Sequence, residues 1–313
     1  MVAVPVTITM IRILKIDMST LYNGIIIKAI AGFCYVEVGD EVYECKPRGS
    51  FRKEGITPVV GDRVEISVDG KKGVVEAILD RKNYLIRPPL ANIDKLFIVS
   101  SFSTPSVNTL LIDRMIVIAE HLGVEPIIVF NKCDLGDFGD IPKLYRKIGY
   151  KVFVVSAEKN EGIDDIKLEL SGSISAFSGN SGVGKSSILN CILPNAKLST
   201  GEVSEKLGRG RHTTRMVELF HCNDGFVADT PGFSTLELID FDIKDKDELI
   251  FLFKEFGDYF GKCKFTSCNH LNEPGCAVIE AKINGNIADF RHESYVSMYN
   301  DLKDIKPWEY NKK

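Results

Sequence analysis

Residues 173–187 read SISAFSGNSGVGKSS, an apolar strand that passes into a glycine-rich loop and then into a helix. Gly179 to Ser186 match the pattern G-x-x-x-x-G-K-[S/T], which is typical of loops that bind nucleotide phosphates. In such a loop the backbone N–H groups face the phosphates, Lys185 reaches the β- and γ-phosphate oxygens, and Ser186 coordinates Mg²⁺. The alternative, a glycine-rich turn with a solvated lysine, does not require this strand-to-helix context. We therefore predict a phosphate site, with Lys185 as a catalytic residue, formed by Gly179, Asn180, Ser181, Gly182, Val183, Gly184, Lys185, Ser186 and Ser187.

The chain around this loop alternates between strands and helices. Strand-like apolar runs occur at 96–100, 127–130, 151–155, 173–178, 216–221 and 225–229. Helical spacing of apolar residues occurs at 107–122, 162–170 and 185–193. This alternation is typical of a doubly wound α/β sheet.

A second phosphate-site motif, Asp229-Thr-Pro-Gly232, follows the last of these strands. Downstream of a phosphate-binding loop, such an aspartate holds Mg²⁺ and such a glycine N–H faces the γ-phosphate. We therefore predict that Asp229 is a Mg²⁺ ligand and that both Asp229 and Gly232 contact the nucleotide.

The base of the nucleotide is predicted from Asn131-Lys-Cys-Asp134, which follows the strand at 127–130 directly. An ionised Asp134 only accepts hydrogen bonds, so it pairs with the N1–H and 2-amino groups of guanine, whereas adenine offers no donor there. Ser156-Ala-Glu-Lys159 comes one strand later and supplies the loop beside a guanine. These motifs favour GTP over ATP, with contacts from Asn131, Lys132, Cys133, Asp134, Ser156, Ala157 and Glu158.

The order of the motifs is unusual. Ras-like GTPases have the phosphate loop first, then D-x-x-G, N-K-x-D and S-A-K, whereas here the base motifs at 131 and 156 precede the loop at 179. The chain therefore resembles a circularly permuted Ras-like P-loop GTPase. Permutation keeps the three-dimensional site, but the segment after Asp229 now runs directly into the C-terminal region and can transmit the nucleotide state to it.

A basic, glycine-rich segment, GRGRHTTR at 208–215, lies between the P-loop helix and the next strand. Thr213 or Thr214 completes the Mg²⁺ shell in this hypothesis, and the sequence does not distinguish them. Where Ras-like enzymes carry a water-orienting glutamine this chain has Phe233, which cannot hydrogen-bond water, so we expect slow intrinsic hydrolysis. The catalytic role then passes to His212, to a partner's residue or to a rearrangement that a partner induces. Alternatively, His212 is a solvated loop imidazole.

A metal site is predicted from the pattern C-x4-C-x-H-x5-C near the C-terminus. Three thiolates and one imidazole suffice for a tetrahedral structural Zn²⁺ site with no position left for water. The alternative is a set of unpaired, buried cysteines. We predict one structural zinc ion that folds a small α-helical module and is bound by Cys263, Cys268, His270 and Cys276.

Short β-rich runs separated by glycines fill residues 23–87 and predict a small barrel of five strands. Within it, four cations surround Phe51 without an intervening acidic residue: Lys46, Arg48, Arg52 and Lys53. A barrel loop with an aromatic side chain among cations suits contact with RNA phosphates and stacking on bases. A solvated loop face is the alternative.

The composition is that of an ordinary globular protein, with 313 residues, 44% of them hydrophobic and 26% charged. The net charge of −4 excludes a whole-molecule attraction to nucleic acid, so any RNA contact must be local and we expect no DNA partner. No apolar stretch is long enough to span a bilayer and no signal peptide is evident, so we expect no membrane partner. The scattered cysteines outside the metal pattern suit a reducing cytoplasm. No dimerisation stripe is evident, and we expect a monomer.

The barrel, the permuted order, G-N-S-G-V-G-K-S-S, G-R-H-T-T, D-T-P-G-F and the zinc pattern together resemble the RsgA (YjeQ/YloQ) family of GTPases, which depend on the small ribosomal subunit. The resemblance covers about residues 18–300. It implies an OB-fold barrel, a circularly permuted GTPase domain and a zinc module. It also implies GTP hydrolysis to GDP that the 30S subunit stimulates during late assembly, with 16S rRNA as a partner.

We accordingly expect an OB barrel at 18–90, the GTPase domain at 91–238 and the zinc-binding helical domain at 239–313. Met18 opens a stretch that resembles a natural start, so residues 1–17 are either an upstream start-codon artefact or a genuine extension.

Three other functions compete with this hypothesis. One is a nucleotide-switched adaptor in which hydrolysis is incidental, which the phenylalanine at 233 leaves open. A permuted GTPase that acts on the large subunit shares the GTPase domain but not the barrel and the zinc pattern. An ATP-dependent kinase is disfavoured because Asp134 has no partner on adenine.

Overall fold

The N-terminal part of the protein is a five-stranded barrel in the computed structural model, which describes residues 20–86, 88–103, 106–193, 217–229 and 237–305. Its elements are β1 (Leu21–Ile30), β2 (Phe33–Val38), β3 (Glu41–Pro47), α1 (Gly49–Glu54), β4 (Arg63–Asp69) and β5 (Lys72–Ile78). The strands follow the order β1-β2-β3-β5-β4, and β4 closes the barrel by pairing with β1. Alternate side chains point inward and form a core that includes Ile26, Val36, Val64, Ile66 and Val75. The predicted barrel is confirmed.

A short hairpin connects the barrel to the central domain, and consists of β6 (Tyr84–Ile86) and β7 (Pro89–Ala91). Asn83 ties its two ends together, because its side-chain amide donates to Ile93 O at 2.7 Å and accepts from Ile93 N at 2.8 Å. Asn92 donates to Gly61 O of the barrel at 2.9 Å. The connection is therefore hydrogen-bonded across its own base and to the barrel.

The central domain is a doubly wound sheet. Its elements are β8 (Lys95–Ser101), α2 (Thr109–His121), β9 (Glu125–Asn131), α3 (Ile141–Ile148), β10 (Lys151–Val154), α4 (Ile163–Glu169), β11 (Ile174–Ser178), α5 (Lys185–Ile192), β12 (Glu218–Cys222) and β13 (Gly225–Asp229). The strand order is β10-β9-β8-β11-β13-β12, with every neighbour parallel except β12 and β13. The P-loop strand β11 thus lies in the middle of the sheet although three strands of that sheet precede it in the sequence, as a permuted order predicts.

The strands of this sheet are buried on both faces, as a parallel sheet requires. On β8, Phe97 and Val99 belong to the core beneath α4 and α5, whereas Leu96 and Ile98 belong to the core beneath α2. The sequence reasoning did not identify α3, which has a proline in its first turn and ends at Gly149 with φ of 102°. The predicted alternation of strands and helices is otherwise confirmed.

The C-terminal module packs against α2. It begins with 3₁₀ turns at Leu238–Phe241, Leu249–Leu252 and Lys254–Tyr259, and continues with α6 (Ala277–Ile283) and α7 (Asp289–Lys303). The rings of Phe253, Phe256 and Tyr295 lie 5.1 to 5.4 Å apart at its centre. Among the described residues, no helix has both the length and the apolar character needed to cross a membrane.

A buried cation joins this module to the central domain. Arg291 is fully buried, and it donates to Asp113 Oδ1 of α2 at 2.7 Å and to Glu255 Oε1 at 2.5 Å. Tyr145 of α3 donates to the same Asp113 oxygen at 2.7 Å. Burial disfavours the charged guanidinium, but the two carboxylates outweigh it and raise the pKa of Arg291 well above its ordinary value. Three segments that are distant in sequence therefore share one charge cluster.

Candidate nucleotide and metal sites

The P-loop, residues 179–187, adopts a conformation that only glycine tolerates at two positions. Gly179 has φ of 145°, and a Cβ there would lie 2.2 Å from Val99 O. Gly184 has φ of 94°, and a Cβ there would lie 2.2 Å from Asn131 Nδ2. A side chain at Gly179 would collide with the backbone of β8, and one at Gly184 would displace the Asn131 side chain, so the loop packs tightly between β8 and the segment that carries Asn131.

Lys185 opens α5 and folds back over this loop. Its Nζ donates to Gly179 O at 2.7 Å and to Asn180 O at 2.8 Å. The ammonium group thus lies among the loop carbonyls, beside the backbone N–H groups of the helix N-terminus. A nucleotide phosphate placed in the loop would meet both the cation and the helix N-terminus.

Asn131 connects the three predicted nucleotide segments. Its Nδ2 donates to Val183 O of the P-loop at 2.9 Å, and its Oδ1 accepts from Ala157 N at 3.1 Å. Lys132, in the left-handed region with φ of 66°, donates from Nζ to Gly182 O at 2.8 Å. Residues 131, 157 and 183, which are distant in sequence, therefore form one junction at the carboxyl ends of the strands.

Asp134 is oriented by Ser156. The hydroxyl of Ser156 donates to Asp134 Oδ1 at 2.6 Å and accepts from Lys159 N at 3.1 Å. This hydrogen bond is the main reason that the pKa of Asp134 lies below its ordinary value. The carboxylate therefore remains ionised near neutral pH and acts only as an acceptor, as guanine recognition requires.

The remaining predicted nucleotide residues are partly described. Ser181, Gly182, Ser187 and Glu158 are exposed, Ser186 is half-buried, and burial raises the pKa of the half-buried Cys133. Asp229 ends β13, and its backbone pairs in register with Glu218. The side chain of Asp229, and the predicted residues His212, Thr213, Thr214 and Gly232, lie outside the part of the chain that the structure describes.

The four predicted metal ligands converge. The ligand atoms of Cys263, Cys268, His270 and Cys276 all lie within 4.8 Å of one another. His270 Nδ1 is 3.3 Å from Cys276 Sγ and 3.5 Å from Cys263 Sγ, and the last two sulfurs are 4.0 Å apart. Burial lowers the pKa of His270, which favours the neutral imidazole that binds metals. The cluster could hold a metal ion.

Surrounding groups hold the loop that carries these ligands. The Glu273 carboxylate accepts from Asn269 N at 3.0 Å, from Leu271 N at 2.9 Å and from Asn272 N at 3.1 Å. Burial tends to raise the pKa of Glu273, but these backbone donors outweigh it and hold the pKa below its ordinary value. His292 Nε2 on α7 lies 2.8 Å from His270 O, which links the loop to the helix.

The cationic segment of the barrel differs in one respect from the sequence expectation. Its residues do not form a loop: Lys46 lies on β3, and Arg48 immediately precedes α1, which contains Arg52 and Lys53. Phe51 is only 7% exposed and belongs to the barrel core, so it is not available for stacking on a base. The aromatic neighbour is Phe33 of β2, whose ring centre lies 5.4 Å from Lys46 Nζ.

Comparison with known proteins decides the family. A family model described as RsgA GTPase matches residues 78–239, and one described as RsgA N-terminal domain matches residues 23–75. The chain belongs to the RsgA family of GTPases. One RsgA relative, the protein from Caldanaerobacter subterraneus subsp. tengcongensis named small ribosomal subunit biogenesis GTPase RsgA, is 47% identical over 287 residues, covering 90% of this chain and 96% of the relative.

Other RsgA proteins are similar over nearly the whole chain. The protein of the same name from Geobacillus sp. is 45% identical over 91% of this chain and 99% of its own length. The crystal structure of YloQ, described as a circularly permuted GTPase, is 39% identical with a TM-score of 0.76, covering 92% of this chain and 97% of that one. YjeQ from Thermotoga maritima is 38% identical with a TM-score of 0.77, covering 92% and 100%. The resemblance inferred from the sequence, the permuted fold and the GTPase activity class are thereby confirmed.

Proposed function

We propose that this protein hydrolyses GTP to GDP and phosphate while bound to the 30S ribosomal subunit, and that it assists late assembly of that subunit. The observation that supports the GTP site is the junction at Asn131, which joins the segment that carries Asp134 to the P-loop and to Ala157. The ribosomal partner is supported by the relatives named small ribosomal subunit biogenesis GTPase, which match over at least 90% of this chain.

In this proposal, the nucleotide contacts are those predicted from the motifs. The phosphates lie in the P-loop under the Lys185 ammonium, which stabilises the charge that develops on the transferred phosphoryl group. The guanine lies between the Asn131–Asp134 and Ser156–Glu158 loops, and Gly232 faces the γ-phosphate. Because Asp134 is held ionised and oriented by Ser156, ATP is rejected at the base and not at the phosphates.

Mg²⁺ would accompany GTP and neutralise charge on the β- and γ-phosphates. We assign Ser186 and Asp229 as its protein ligands, together with Thr213 or Thr214. Because Phe233 replaces the water-orienting glutamine, we expect a slow reaction without a partner, with His212 as the candidate residue that orients water.

We propose that one zinc ion occupies the Cys3His cluster. A tetrahedral zinc site places its sulfur and nitrogen ligands about 3.5 to 3.8 Å apart. The separations among Cys263, His270 and Cys276 are 3.3 to 4.0 Å, and all four ligand atoms lie within 4.8 Å of one another, which is close to that spacing. Four protein ligands leave no position for water, which is typical of a structural site. The ion would hold the loop at 263–276 against α7. We also propose that the protein has three domains, a barrel, a GTPase domain and a zinc-binding domain, with boundaries near residues 90 and 238.

We place the contact with 16S rRNA on the cationic face of the barrel, which comprises Lys46, Arg48, Arg52 and Lys53. All four side chains are exposed, which suits phosphate contact. We propose further that the protein acts in the cytoplasm as a monomer and that DNA is not a partner, because its net charge is −4 and this basic face is local.

Co-sedimentation tests the choice of partner. The protein is mixed with purified small or large subunits in the presence of a non-hydrolysable GTP analogue or GDP, and the pelleted fraction is measured at several salt concentrations. We expect binding to small subunits that is stronger with the analogue and that weakens steeply with salt. Preferential binding to large subunits would contradict the proposal, and equal binding with both nucleotides would contradict a nucleotide-dependent interaction with the small subunit.

A further inference from the structure

The barrel and the central sheet are joined along one strand edge. β1 pairs antiparallel with β12, so that a single sheet of eleven strands runs through both parts. A β-bulge between Ile26 and Lys28 makes this pairing possible. Before the bulge β1 pairs with β4 inside the barrel, and after it Lys28 pairs with Glu218 of β12. The edge of β1 that barrel closure leaves open is thus covered by the GTPase domain.

Two side-chain bridges cross this β1–β12 seam, which we define by Lys28, Glu37, Glu218 and His221. Lys28 Nζ donates to both oxygens of the Glu218 carboxylate, at 2.8 and 2.9 Å. His221 Nε2 lies 2.7 Å from Glu37 Oε2, which reaches across from β2. The face of the seam that carries these side chains is therefore polar, whereas Ile27 and Ala29 of β1 pack against the core cluster that contains Leu219.

The position of β12 gives the seam its significance. In the sequence, the GRGRHTTR segment at 208–215 comes just before β12. Strand β13, which pairs with β12 in a hairpin, ends at Asp229, the first residue of the D-x-x-G motif. Glu218 is the register neighbour of Lys28 on one side and of Asp229 on the other. A barrel residue thus lies one strand away from the backbone of a predicted Mg²⁺ ligand.

We propose that Lys28 and Glu218 are positioning residues through which the barrel, when it is bound to the small subunit, holds β12 and β13 in the arrangement that hydrolyses GTP. This inference rests on the proposed function, since it takes the small subunit as the activator. Coupling of this kind requires that the contacts across the seam differ in free energy between the ribosome-bound and the free protein. The Lys28 and Glu218 side chains are 30% and 35% exposed, and such pairs contribute little to folding, so the pair can be altered without unfolding the protein.

The test is a charge reversal on each side of the seam. Phosphate release from GTP is measured with and without saturating small subunits for the wild type, Lys28→Glu, Glu218→Lys and the double variant. We expect each single reversal to reduce the ratio of stimulated to unstimulated kcat by about two- to fivefold, the range for one partly exposed ion pair. The KM for GTP should stay at the wild-type value in each variant, because the predicted guanine contacts are distant from the seam. The double variant, which restores an ion pair, should recover at least half of the loss.

A matched control reverses one exposed lysine elsewhere in the same protein. Lys143 of α3 pairs with Asp140 at 2.9 Å away from the seam, and Lys143→Glu should keep the wild-type ratio. Thermal unfolding of every variant shows whether it is folded. If a charge reversal does not fold, the neutral variant Lys28→Met takes its place. Wild-type ratios in both single variants would overturn the inference while leaving the proposed function intact. A loss that the double variant does not recover would also overturn it, because Lys28 would then act on the ribosome and not on Glu218. Absence of stimulation in the wild type would overturn the proposed function itself.

Discussion

Replacing Arg291 with methionine tests the charge cluster that attaches the C-terminal module to the GTPase domain. Methionine fills most of the volume but leaves the carboxylates of Asp113 and Glu255 without a counter-ion, and Asp113 is fully buried. Removal of one partner from a buried ion pair costs about 3 to 5 kcal/mol of the free energy of unfolding. A change of 1 kcal/mol shifts the unfolding midpoint of a large domain by about 2 to 4 °C. We therefore expect the midpoint to fall by about 10 °C.

The assay is thermal unfolding followed by circular dichroism, with two comparison variants. Lys147→Met removes an exposed contact across the same interface, from Lys147 Nζ to Gly285 O at 3.1 Å, and should change stability by less than about 1 kcal/mol. The triple variant R291M/D113N/E255Q removes the uncompensated charges as well and should recover part of the loss. If Arg291→Met unfolds within about 1 kcal/mol of the wild type, the cluster does not stabilise the interface and the reasoning is refuted.

Three further changes probe the two sites. Ser156→Ala removes the hydrogen bond that lowers the pKa of Asp134, so this pKa should rise. Because the ionised carboxylate is lost as the pH falls through its pKa, the decrease in GTP affinity at acid pH should begin at a higher pH in the variant. An unchanged dependence of GTP affinity on pH would contradict the assignment. Asn131→Ala removes both bonds of the junction and should weaken fluorescent-GDP binding by at least about tenfold, whereas unchanged affinity would show that the junction is not required. Chelation of the metal should lower the unfolding midpoint and the near-ultraviolet dichroism of the C-terminal module while GDP affinity stays within about twofold. Unchanged dichroism would contradict a structural metal.

The convergence of the candidate nucleotide residues could be predicted because they belong to short, contiguous motifs. The glycines of the P-loop are required by backbone angles and close contacts within a few residues, so their spacing carries over directly into the structure. Asn131 and Asp134 follow a buried strand whose end must lie at the carboxyl edge of the sheet. Their association with Ser156 was predictable for the same reason, since it follows the neighbouring strand.

The features that sequence reasoning missed depend on contacts between distant segments. The cluster of Arg291, Asp113 and Glu255 combines residues whose individual positions on helices and turns carry no motif. The β1–β12 seam depends on a bulge near Ile27, which no turn residue signals. Phe51 was assigned to an exposed loop because its neighbours are cationic, but α1 directs it into the barrel. The alternation of side chains between the two faces of β2 was the sequence signal that could have identified Phe33 as the aromatic neighbour of Lys46.

Phosphate release tests the central claim most directly. The rate is measured from GTP for the protein alone, with purified small subunits and with purified large subunits, and ATP serves as the control substrate. We expect slow release from GTP by the protein alone, strong stimulation by small subunits only, and no turnover of ATP, because Asp134 accepts from guanine and has no partner on adenine. Equal rates with and without small subunits would contradict the account, and a nucleotide-binding adaptor would then explain the same site.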